Sequence, residues 1–205
     1  ADLFPYERQE ILCKNAVLRD LVEDRYRVRY VRFPSVGENG QPGNLVRGHY
    51  YESKLPGRKP LVIVLPIWGG HPYPSNKIAA RVRRTSRGRA HVFLVLGDGD
   101  LFDWQGLAAA PDQETFFDLW RQGVECEEAM IVDVRRIIDW AEARNDVDDE
   151  RIGLIGFSAS AVLAATIAAT EPRLDATVVV MGSGRIHESL AHCPLQQSAG
   201  MRKRA

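Results

Sequence analysis

Ile152-Gly-Leu-Ile-Gly156-Phe-Ser158-Ala-Ser160 decides the reading of this chain. It opens as a short apolar run of strand type and passes through two small residues flanking Ser158. It then enters Ala161–Thr170, which is rich in alanine and reads as a helix. A strand that turns sharply into a helix holds the residue at the tip above the sheet. Small residues two before and two after the tip let strand and helix approach closely enough for the turn. Here those residues are Gly156 and Ser160, so serine stands where glycine is usual. Ser158 is therefore a candidate nucleophile; the blander reading is a tight turn whose serine caps the helix. Ile152–Thr170 carries no charge and approaches the length of a membrane span. Its central Gly and Ser residues divide it into a buried strand and a buried helix.

Working outward, the elements alternate. Leu61–Leu65, His91–Leu96, Arg151–Gly156 and Ala176–Met181 are continuous apolar runs, as strands buried on both faces of a parallel sheet require. A helix capped by Ser75 or Asn76 is expected through Thr85, and another over Glu114–Arg144, with a break near Gly123. Gly97–Pro111 reads as a loop. Upstream, Tyr26–Phe33 and Leu45–Tyr51, joined by the turn-rich Pro34–Asn44, form an expected antiparallel pair, preceded by a helix over Ile11–Asp24. The 205 residues suit one domain: an N-terminal helical segment (1–25), a core (26–181) and a short helical, polar tail (182–205). The fold class is α/β, a mostly parallel, doubly wound sheet with an antiparallel N-terminal pair. Only 24 residues follow Met181, so the architecture reads as C-terminally incomplete, with an exposed sheet edge through which copies would associate.

Lys plus Arg and Asp plus Glu both total 27, so the net charge is zero and no basic excess suggests nucleic acid. Cys13, Cys126 and Cys193 form neither a disulfide framework nor a metal-spaced set. With no apolar leader in Ala1–Glu10, a cytoplasmic location is expected. No glycine loop has P-loop or dinucleotide spacing, and no cofactor is expected.

A second signal is Leu65-Pro66-Ile67-Trp68-Gly69-Gly70-His71-Pro72, following the first buried strand. Acyl transfer develops an oxyanion that needs backbone N–H donors in place. Ala159, just after the serine, would supply one and Trp68 the other, with Gly69 and Gly70 freeing the loop. The blander reading is an ordinary strand-to-helix turn. His71 is placed as a pocket wall, and His49 and His91 as structural. His187 and His192 lie four apart on a weak helix, Arg185–Ala191, with no further ligand beside them, so no metal is expected. Either could stand in as a base. Asp98, Asp100 and Asp103 resemble a Ca²⁺ loop but lack its spacing and terminal Glu. They are better placed on a polar site rim, with Phe102 and Trp104 as acyl-pocket walls.

On the Trp68-Gly-Gly loop, the Ser158 elbow and the lead-in Asp133–Trp140 and Val147–Gly153, the chain resembles α/β-hydrolases similar to dienelactone hydrolases and acyl peptidases. The resemblance implies a Ser–acid–His triad acting on a small-molecule carboxylic ester or related acyl compound through an acyl-enzyme. In that superfamily the acid and His lie on loops after later strands. No residue here can be assigned to either role. A non-catalytic binding protein on the same scaffold is the alternative, and an acyltransferase a third.

Overall fold

The computed structural model describes residues 3–6, 8, 11, 14–21, 25–36, 42–66, 73–97 and 103–182. Seven strands form one sheet: β1 (Lys14–Leu21), β2 (Tyr26–Val36), β3 (Pro42–Ser53), β4 (Lys59–Val64), β5 (His91–Val95), β6 (Val147–Phe157) and β7 (Ala176–Val180). Their order is β1-β2-β3-β5-β4-β6-β7. Pairings from β1 to β5 are antiparallel, and those through β5, β4, β6 and β7 are parallel. Helix α1 (Tyr73–Ser86) covers one face. Helices α3 (Gln113–Glu142) and α4 (Ala159–Thr170) cover the other, and α2 (Trp104–Ala109) packs near α3. This is the expected α/β architecture, with helices on both faces of the sheet.

One expectation fails outright. Residues 14–21 of the expected opening helix are strand β1, paired antiparallel with β2, so the antiparallel entry has three strands. The register shifts between Val17 and Arg19 and leaves Leu18 without a partner. That bulge breaks the two-residue alternation by which a strand is recognised. The open edge of β2 needed backbone partners, and that need overrides the local helical pattern. The expected loop Gly97–Pro111 contains α2, whose cap is Asp103 accepting from the Gly106 N–H at 2.8 Å. Helix α3 runs unbroken past a buried Gly123. Helix α1 begins at Tyr73, and Ser75 is buried, its hydroxyl donating to the Leu65 carbonyl at 3.0 Å instead of capping. The tail and its expected helix lie outside the described residues.

The main core lies between the sheet and α3–α4. Trp140 of α3 seats the long helix across the junction of antiparallel and parallel strands. Its ring stands edge-on to Tyr50 (4.9 Å between centroids) and Phe93 (5.4 Å), and stacks on Phe33 (6.5 Å). Arg144 lies 4.7 Å over both Tyr50 and Trp140 and is paired with Asp146 at 2.8 Å.

His91 closes the lower end of the sheet, as a structural histidine should. Its Nδ1 accepts from the Ser53 N–H at 3.0 Å, and its Nε2 faces the Asp146 carbonyl at 3.0 Å. The two contacts together require a neutral ring protonated at Nε2. Burial depresses its pKa, and the nearby Asp146 only partly offsets this. Glu127 runs the other way: burial, then repulsion from Glu128, raises it to about 7. It lines a cavity of about 150 Å³ between α3 and α4, with Val124, Ile131, Leu163 and Phe4.

The pH dependence follows with opposite signs. A depressed histidine leaves the native state with fewer protons than the unfolded chain, so His91 removes stability as pH falls below about 6.5. A raised carboxyl does the reverse, and Glu127 removes stability as pH rises from about 4.5 through 7. Thermal unfolding from pH 5 to pH 8 will show His91→Gln flattening the low-pH loss. Glu127→Gln will stabilise the protein at pH 8 by on the order of 1 kcal/mol, the partial exposure of the carboxyl being discounted.

Candidate active site

Ser158 follows β6 and precedes α4 at the carboxyl end of the parallel strands, where open α/β sheets place their ligands. Its backbone has φ 57° and ψ −121°, a region that a residue with a side chain occupies only under strain. Three contacts over-determine this conformation. The Ser158 N–H donates to the Val180 carbonyl of β7 at 2.8 Å. The Ala161 N–H donates to the Ser158 carbonyl at 3.0 Å, starting the helix. The fully buried Ser160 hydroxyl accepts from the Phe157 N–H and donates to the Phe157 carbonyl, both at 3.0 Å.

Gly156 explains the spacing of the motif. A Cβ built there would lie 2.2 Å from the Ser160 carbonyl oxygen and 2.6 Å from the Ala164 Cβ. Helix α4 rests directly on the β6 backbone, and no other residue fits. At Ser160 a side chain is accommodated, and its hydroxyl ties down the turn where the usual glycine could not.

The Ser158 hydroxyl makes no capping bond to α4 although it occupies the cap position. The helix-cap explanation for this serine is thereby removed: the residue is partly exposed, and no described residue bonds its hydroxyl. Above it sits the N-terminus of α4, whose first amides, Ala159 among them, have no carbonyl within the helix to bond. Unpaired N–H groups and the positive end of a helix favour an anion at this point.

Leu65 extends β4 next to the elbow, its N–H donating to the Ile155 carbonyl at 3.0 Å. The expected loop residues Trp68, Gly69, Gly70 and His71 lie outside the described residues, as do His187, His192, Asp98, Asp100 and Phe102. The structure thus brings Gly156, Ser158, Ala159 and Ser160 together. It places His91 at the opposite end of the sheet from Ser158, and His49 on β3 in edge contact with Tyr30 and Tyr51. Sequence reasoning missed the Val180 carbonyl and the close packing beyond it. Met181 adopts φ 57°, and a Cβ on Gly182 would lie 2.8 Å from that of Ala161. A glycine directly after an apolar strand run was the available signal, although the run expected to be buried is not: Val178, Val179 and Met181 of this edge are exposed.

A mixed sheet with this strand order, covered on both faces and carrying a strained serine between β6 and α4, defines an α/β-hydrolase fold. Solved structures agree. An acetyl xylan esterase from Paenibacillus sp. R4 superposes with a TM-score of 0.58 at 15% identity, over 95% of this chain and 63% of that one. Acetyl xylan esterase 1 from Thermoanaerobacterium sp. JW/SL YS485 gives 0.57 at 18%, over 92% and 60%. A glucuronoyl esterase from Solibacter usitatus gives 0.59 at 12%, over 85% and 53%. The chain spans about three fifths of the length of the two acetyl xylan esterases and about half that of the glucuronoyl esterase. No curated protein matches it at the sequence level. The dienelactone hydrolase family profile matches residues 46–200, and the chain belongs to that family. Among the described residues, no helix is long and apolar enough to cross a membrane.

Gly156→Ala will lower stability by about 3 kcal/mol, because the added methyl forces α4 off the strand. Denaturant unfolding of the variant beside wild type measures this.

Proposed function

We propose that this chain carries the nucleophile of a serine esterase acting on a carboxylic ester. The observation that supports this reading is the strained, partly exposed Ser158, whose hydroxyl serves no cap. Strain of this kind persists only where surrounding contacts enforce it, and it clusters at functional sites.

In this mechanism Ser158 Oγ attacks the acyl carbon while its proton passes to a general base. The carbonyl π electrons move to oxygen, and the oxyanion is met by the Ala159 N–H and by the Trp68 N–H of the loop after β4. Collapse expels the alcohol, which takes up the proton. Water then attacks the acyl-enzyme by the same route in reverse and releases the acid. Gly69 and Gly70 give the loop its reach, and Gly156 and Ser160 hold the elbow. The family resemblance assigns the base to a histidine oriented by a carboxylate. The relatives that share the fold are named for acetyl xylan and glucuronoyl esters, so a carbohydrate-borne ester is the proposed substrate class.

The test is intact-mass labelling with a fluorophosphonate, with Ser158→Ala alongside. A single adduct on wild type, absent from the variant, is expected. Hydrolysis of p-nitrophenyl acetate should fall by at least about a thousandfold in the variant. No adduct on folded wild-type protein would overturn the reading.

A further inference from the structure

The zero net charge conceals a sharp segregation. Residues 53–97 contain nine Lys and Arg and no Asp or Glu, whereas residues 98–205 carry 19 acids against 10 bases. Helix α1 and the turn after it concentrate the positive half. Ile78, Ala79 and Val82 pack on the sheet. Lys77, Arg81 and Arg84, at i, i+4 and i+7, form an exposed stripe extending roughly 10 Å along the helix axis. Exposed Arg87 and Arg89 continue it past the C-terminus. No hydrogen bond or ion pair with a described residue engages the side chains of Arg81, Arg84 or Arg87. Cations in the last turn suit the helix dipole, but that accounts for Arg83 and Arg84 and not for a stripe beginning at Lys77.

The direction of the stripe matters. Ser75, at its upper end, is bonded to the Leu65 carbonyl, and Leu65 is bonded to β6 three residues before Ser158. The stripe therefore starts at the edge of the sheet that holds the elbow and descends the α1 face. Four of its five cations are arginines, whose planar forks bind carboxylates in pairs of hydrogen bonds. A duplex nucleic acid carries a charge about every 1.7 Å, more densely than these cations are spaced. A polymer with one carboxylate per sugar is sparser and suits three cations along the helix and two on the turn after it.

We propose that this stripe is an exosite for a carboxylate-bearing polysaccharide, which it holds so that an ester on the same polymer reaches Ser158. The proposal rests on the esterase reading for its purpose, but the binding itself needs no catalysis. Affinity electrophoresis of the Ser158→Ala chain in gels containing polygalacturonate, neutral xylan or duplex DNA tests it independently of activity. Retardation by polygalacturonate that weakens with salt, and none by xylan, is expected. Arg81→Gln, Arg84→Gln and Arg87→Gln combined should weaken that retardation about tenfold, with far-UV dichroism unchanged. The proposal is overturned if wild-type mobility ignores polygalacturonate, if the folded triple variant binds as well, or if DNA at equal charge concentration binds more tightly. An active serine with no retardation would sink only the exosite; retardation without a fluorophosphonate adduct would sink only the esterase.

Discussion

At Gly156 the backbone of β6 and the helix α4 meet with no room for a side chain between them. The rest of the site depends on that contact. It brings the first turn of α4 down onto the sheet, so the chain must reverse within a single residue, and Ser158 takes the left-handed conformation that allows it. The buried Ser160 hydroxyl then closes the turn from the helix side, and the Val180 carbonyl closes it from the neighbouring strand. The strain at Ser158 is offset by these bonds and by α4 packing its apolar residues into the main core. None of these contacts uses the serine hydroxyl.

The two ends of the parallel strands are built on opposite principles. The lower end is closed by satisfied polar groups: His91 between Ser53 and Asp146, Arg144 across Tyr50 and Trp140, and Asp146 against Arg144. Among the described residues, the upper end leaves helix amides and the Ser158 hydroxyl without partners. A similar division holds for the N-terminal segment. Tyr6 and Arg8, with Arg173, bond Asp139 and keep its carboxyl below the usual range despite burial, fastening the chain start to α3. These polar networks lie away from the elbow and support the sheet without occupying the site.

The sequence made the parallel half legible because strands buried on both faces must be continuous apolar runs, as in Leu61–Leu65 and His91–Leu96. The elbow was legible because close approach demands small residues at fixed offsets from Ser158. Strand β1 was not, since the bulge at Leu18 destroys alternation and its pairing comes from β2, outside its own segment. Helix α2, only six residues long, has too few turns to show a period. The Val180 carbonyl could not be foreseen, because a backbone acceptor from another strand leaves no side-chain signature. Charge segregation was hidden by summing over the whole chain: the same residues that give zero in total place nine bases and no acid in residues 53–97.

The bond from the Ser158 N–H to Val180 orders events during synthesis. A nascent chain that has cleared the ribosome only as far as α4 contains the whole elbow motif but lacks the carbonyl that fixes it. The serine is cocked only when β7 emerges and adds to the sheet beside β6. A folding intermediate without β7 would hold Ser158 in a relaxed backbone conformation.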